Sequence, residues 1–265
     1  MTNEDASIAF AASTFAFVDI GNTSAKVATH VDSKLQVKAI DYHEEDWPHQ
    51  VAHFPKSIHG KDMDRWVIAS VNQAKLETLE HSIRQQQDKT VIQKVGYQDV
   101  PMETSVDHPQ SLGIDRLLSG FMATKRFGAP LVVISFGTAV TIDWVDEQGV
   151  FAGGLILPGM QLQSDSLSVR TEALPEIQWE GEITVSLPGK NTQSAIRSGI
   201  TLGLASAIDG LVGRYAEASR LPMDRIQTVI TGGNAELITQ HLQCKHHIAT
   251  NLVCHALMEL SAINT

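Results

Sequence analysis

The chain has 265 residues, 43% of them hydrophobic, enough to bury one large core or two moderate ones. Its formal net charge of −10 and its lack of a dense Lys/Arg block argue against nucleic acid or an anionic membrane as partner, so an anionic ligand must be met by local donors. Met1–Ser13 carries Glu4 and Asp5 and no basic residue before its apolar stretch, which is wrong for a secretory signal, and no uninterrupted apolar run reaches the roughly 18 residues that span a bilayer.

Phe15, Phe17, Val18 and Ile20 form an apolar run of strand length, and alternation resumes from Ala25 to His30, so a hairpin is expected with Gly21 and Asn22 at its tip. Glycine tolerates positive φ and asparagine visits that region readily. Backbone amides at this tip, the hydroxyls of Thr23 and Ser24 and the Lys26 ammonium can donate to phosphate oxygens, while Asp19 could hold a hydrated magnesium ion. A plain turn in which Asp19 only ends a strand fits the same residues. Lys34–Ile40 reads as a third antiparallel strand, and 41–64 as a solvated segment in which Pro48 and Pro55 discourage a long helix. A strand over Trp66–Val71, a helix over Gln73–Gln87 and a strand over Val91–Val95 follow.

Ser111, Leu112, Gly113, Ile114, Asp115 and Arg116 enter an amphipathic helix running through Met122. A carboxylate and a guanidinium just after a glycine can bind a polar ligand and take a proton; they can equally be a helix-start charge and a surface side chain. Leu131–Ser135 is a central strand, and Ile134, Ser135, Phe136, Gly137, Thr138, Ala139 repeats the order of Val18–Thr23. Two such hairpins predict a duplicated α/β domain holding a nucleotide between its halves. Ser135 stands where Asp19 stands in the first copy.

Phe151–Met160 reads as a glycine-containing strand that stops before a helix, and Leu174–Leu187 as extended chain. Thr192 reads as the N-cap of a long helix over Gln193–Arg220. Gln227–Ile230 is a strand, turned by Gly232 and Gly233 into a helix near Ala235. Cys244 and Cys254 show no metal-ligand pairing and read as free thiols, and adjacent His246 and His247 would point apart, so no zinc site is read there. Leu252–Leu260 is a closing helix. A cytoplasmic protein is expected.

These pieces, in this order, resemble the type III pantothenate kinase family. The matches are Asp19, Gly21, Asn22, Thr23 and Lys26; Leu112, Gly113, Asp115 and Arg116; Gly137, Thr138, Ala139, Thr141 and Asp143; Gly153, Gly154, Ile156, Pro158 and Gly159; Asn191, Thr192, Ala195 and Ile196; and Thr231 to Asn234. The resemblance implies a duplicated ribonuclease H-like (actin-like ATPase) fold of the actin, hexokinase and Hsp70 superfamily: two mixed sheets flanked by helices with a central cleft, working as a homodimer. The division it implies is an extension over 1–14 and halves over 15–127 and 128–265.

The implied reaction is transfer of the γ-phosphoryl of ATP to the hydroxyl of pantothenate, the first step toward coenzyme A. Asp19, Ile20, Gly21, Asn22, Thr23, Ser24, Ala25, Lys26 and Thr138 would hold ATP, with Asp19 as a magnesium ligand. Gly113, Ile114, Asp115, Arg116 and Thr192 would contact pantothenate, with Asp115 as general base. Two departures bear on this reading. The family usually has an aspartate at Ser135, which helps bind an activating K⁺ or NH₄⁺ ion, and often a tyrosine at Val106 in the substrate pocket. A second reading is a relative with weakened catalysis that acts by binding, as a regulatory accessory protein; a third is a kinase of the same superfamily acting on another small alcohol.

Overall fold

The computed structural model describes residues 14–32, 34–87, 89–179, 184–233 and 235–263. The expected N-terminal extension before Thr14, the matched Asn234 and part of the extended chain before Leu187 lie outside the described residues. The chain divides into two compact units: residues 1–102, 107–122 and 251–265 form the first, and residues 103–106 and 123–250 the second.

In the first unit, β1 (Phe15–Ile20) is central because its apolar residues bury both faces of the strand. It pairs antiparallel with β2 (Ser24–Val31), which pairs antiparallel with β3 (Lys34–Asp41). On its other side it runs parallel to β4 (Arg65–Ser70), which runs parallel to β5 (Val91–Lys94). The sheet order is β3-β2-β1-β4-β5.

Ala16, Val18 and Ile20 point from one face of β1 into a core with Trp47 and Val51 of α1 (Trp47–His59) and Leu76, Leu79 and Ile83 of α2 (Gln73–Gln86). Full burial of each large side chain contributes about 1.5–3 kcal/mol. The solvated, helix-poor segment expected over 41–64 is corrected here: it contains α1, because Pro48 occupies the first turn, where no N–H is needed, and Pro55 is carried within the helix. The opposite face, with Phe17 and Asp19, is covered by the C-terminal helix; that helix packs on β1 and β4.

The second unit repeats this topology. Here β6 (Leu131–Phe136) is central, antiparallel to β7 (Ala139–Val145), which is antiparallel to β8 (Phe151–Pro158). β6 is parallel to β9 (Gln227–Gly232), which is parallel to the short β10 (His247–Ile248). The order β10-β9-β6-β7-β8 read backwards matches the first sheet strand for strand.

Helix α3 (Ile114–Phe127) precedes β6, and α4 (Met160–Arg170) follows β8. Val132, Ile134, Phe136, Val140 and Ile142 share a core with Met160 and with one stripe of α5 (Thr192–Ser219) formed by Ile196, Ile200, Leu204, Ile208 and Val212. Helix α5 is long and apolar enough to cross a membrane by length and composition, but that apolar stripe lies in this core. Its cap is Asn191, whose side chain accepts from the Ser194 amide at 2.9 Å, and not Thr192, which is the first helical residue. Helix α6 (Ala235–Thr239) follows β9, and α7 (Leu252–Ile263) is the helix that closes the first sheet.

Candidate functional site

The first hairpin closes where Gly21 N–H donates to the Ser24 carbonyl at 3.0 Å. Neither Gly21 nor Asn22 has a positive φ, so the expected reason for the glycine is corrected. A Cβ at Gly21 would lie 3.2 Å from the Ser24 oxygen, and close approach is what selects it. Ile20 and Ala25 are fully buried, so only their main chains can meet a ligand, whereas Asn22 and Thr23 are exposed at the tip.

Asp19 lies opposite Lys26 across the β1–β2 ladder. Burial pushes its carboxyl up to about 6; the Lys26 charge opposes that rise, and the charge of Asp115 adds to it. Two carboxylates of one unit therefore feel each other, although 96 positions separate them in the chain. Burial and the Asp19 charge also raise the phenol of Tyr42, and the buried thiol of Cys254 on α7 is raised by burial and by the same carboxylate. Sequence reasoning missed both neighbours, since nothing local to 42 or 254 points to the hairpin.

Asp115 is in the first turn of α3. Its Oδ1 accepts the Arg116 amide at 2.9 Å and folds back over Gly113, where a Cβ would stand 2.7 Å from that oxygen. Burial raises the Asp115 carboxyl, opposed by the Arg116 amide and the Arg116 charge. Ile114 is buried at the helix start. A carboxyl raised in this way is a stronger base than an ordinary aspartate.

The second hairpin differs in length. Gly21, Asn22, Thr23 and Ser24 lie between the paired Ile20 and Ala25, but only Gly137, Thr138 and Ala139 between Phe136 and Val140. Two later glycines back it closely: a Cβ on Gly159 would strike the Gly137 carbonyl, and one on Gly232, at φ +104°, the Phe136 carbonyl. Ser135 lies opposite Thr141, whose hydroxyl donates to Asp143 Oδ2 at 3.0 Å. Gly154 faces Asp143 across the ladder and leaves room for its carboxylate.

In the same unit a pocket of about 610 Å³ lies at the start of α5, with Lys190, Asn191 and Thr192 at its polar side and Leu167, Leu174 and Ile196 at its apolar side. Val106 packs against Gly153 of β8, 3.6 Å from where a Cβ would be. Among the described residues no group of three or more His, Cys, Asp and Glu side chains could hold a metal ion.

Two mixed sheets of one topology, flanked by helices and each carrying a glycine-tipped hairpin from its central strand, define an actin-like ATPase fold. The ethanolamine utilization protein EutJ from Carboxydothermus hydrogenoformans has a similar structure, with a TM-score of 0.51 at 10% identity over 93% of this chain and 88% of that one. The sequence model of the type III pantothenate kinase family matches residues 15–214, and the chain belongs to that family. It is 30% identical to the type III pantothenate kinase of Rhodopirellula baltica over 92% of this chain and 97% of the relative, and 34% identical to that of Gluconobacter oxydans over 78% and 75%.

Proposed function

We propose that the protein transfers the γ-phosphoryl of ATP to the hydroxyl of pantothenate, forming 4'-phosphopantothenate at the entry to coenzyme A synthesis. The observation that carries this reading is Asp115: a raised carboxylate held over Gly113 in the same unit as the Asp19–Lys26 hairpin. Family membership supplies the substrate class. The alternative of a binding or accessory protein is not favoured, because the chain belongs to a kinase family and retains Asp115, Arg116 and both hairpins.

Phosphoryl transfer asks for charge neutralisation and alignment more than covalent help. Asp115 takes the proton of the attacking hydroxyl, and Arg116 beside it, with Gly113 and Ile114, orients the substrate. Amides of Asn22 to Ala25, the hydroxyls of Thr23 and Ser24, the Lys26 ammonium and Thr138 bind the phosphates, while the Gly21 N–H closes the hairpin. Asp19 suits magnesium: its carboxyl, raised by burial and only partly relieved by Lys26, is stabilised in its charged form by a nearby cation. Bound there, Mg²⁺ would neutralise charge developing on the phosphate oxygens.

Thr192, at the pocket beside α5, contacts the substrate, and valine at 106 offers no hydroxyl to it. Ser135 occupies the monovalent-cation position with a neutral oxygen, so dependence on K⁺ or NH₄⁺ is weakened. The protein works in the cytoplasm as a homodimer, without nucleic acid or membrane as partner; its two cysteines are free, as suits a reducing compartment. Purified protein with Mg-ATP is expected to phosphorylate pantothenate in an isotope-transfer assay. No transfer to pantothenate at any K⁺ or NH₄⁺ concentration, or transfer only to another alcohol, refutes the reading.

A further inference from the structure

We propose that Tyr42 is a positioning residue for nucleotide phosphate, which aims the amides of the first hairpin by holding both ends of its turn. This rests on the hairpin being the phosphate-binding element. Tyr42 follows the last residue of β3, and Ser24 pairs with Asp41 just before it. Its N–H donates to the Thr23 carbonyl at 3.1 Å, and its hydroxyl donates to the Gly21 carbonyl at 3.2 Å.

Both peptide units held this way are trans. In a planar trans peptide the N–H points opposite to the C=O. With the Gly21 and Thr23 carbonyls turned toward Tyr42, the Asn22 and Ser24 amides are turned away from it. Those amides belong to the turn read as a phosphate cradle, and their common direction is set from outside the turn.

The ring that makes this contact is itself held in place. Trp47 meets it edge-on with centroids 4.7 Å apart. The Lys75 ammonium lies 4.5 Å from the Tyr42 ring centre and 5.4 Å from that of Trp47. Cation–π and edge-to-face contacts of this kind favour one ring position over others. A flexible turn would lose order on binding a ligand; one already pinned at two carbonyls has less order to lose.

The test is Tyr42→Phe, which keeps the ring, its contacts with Trp47 and Lys75 and the main-chain bond to Thr23, and deletes only the hydroxyl. Titration calorimetry with the Mg complex of a non-hydrolysable ATP analogue should show affinity about three- to tenfold weaker, the range of one lost hydrogen bond. KM for ATP should rise by the same factor while KM for pantothenate stays at the parent value and the melting temperature falls by no more than the few degrees that one lost hydrogen bond accounts for. Parent-like affinity in Tyr42→Phe overturns the proposal, as does an equal rise in both KM values. If the parent binds the analogue but does not phosphorylate pantothenate, the kinase reading fails while the calorimetric comparison still decides the role of Tyr42. If the parent does not bind the analogue, both readings fail.

Discussion

Ser135 holds in the second sheet the place that Asp19 holds in the first. Asp19 faces Lys26 across an antiparallel ladder and Ala69 along a parallel one; Ser135 faces Thr141 and Thr231 in the same way. The charged pair of the first copy is thus a pair of hydroxyls in the second. The hairpins are alike in course but not in electrostatics.

Replacing Ser135 with Asp places an anion at the register position that Asp19 holds in the first sheet. Activity of Ser135→Asp is expected to rise with K⁺ or NH₄⁺, whereas that of the parent changes little. Initial rates over a potassium series, with sodium holding ionic strength constant, test this. A flat response in Ser135→Asp would place the cation elsewhere.

Asp115→Asn removes the proposed proton acceptor and keeps the shape of the side chain. The turnover number should fall about 10²–10⁴-fold with the fold intact by circular dichroism. Because burial raises the Asp115 carboxyl, the base is lost by protonation at a higher pH than an ordinary aspartate would be. The acid limb of the parent rate profile should therefore lie above the usual carboxylate range.

Gly113→Ala places a methyl group 2.7 Å from Asp115 Oδ1, a distance that the carboxylate must relieve by moving. A displacement of about 1 Å at a reacting group can cost on the order of 10²-fold in rate. Turnover should drop by about that factor with KM for ATP nearly unchanged. An alanine variant with parent turnover would show that the carboxylate is free to sit elsewhere.

Asp19 is predicted to cost stability at neutral pH. Its folded carboxyl is raised to about 6 from an ordinary 3.8, so folding is penalised when it is ionised. The penalty is absent below the unfolded value, grows as pH rises and is complete above about 6. Without nucleotide or magnesium, Asp19→Asn should melt several degrees higher than the parent at pH 8, and the difference should shrink as the pH falls below about 6 and vanish only below 3.8. The same variant should bind Mg-ATP poorly.

The sequence by itself determined the two hairpins, their internal repeat and the helix entrance at Gly113, because each is a local pattern: a strand period, a glycine at a tight turn, an apolar stripe. It also made plain that Ser135 stands in the second copy where Asp19 stands in the first, since both are legible as residue types. It did not show α1, because proline ordinarily breaks a helix, whereas Pro48 lies in the first turn of this one. Nor did it show that Tyr42 reaches the Gly21 carbonyl, that Cys254 lies behind Asp19, or that Gly159 and Gly232 are small because carbonyls of the second hairpin press on them. Those relations join segments far apart in the chain, and neither periodicity nor propensity encodes a contact between residues that are neighbours only after the sheets have formed. The relation of Asp19 to Asp115 is of that kind: each carboxylate is plain in the sequence, but the burial that raises both, and the Asp115 charge that adds to the rise at Asp19, come only from packing.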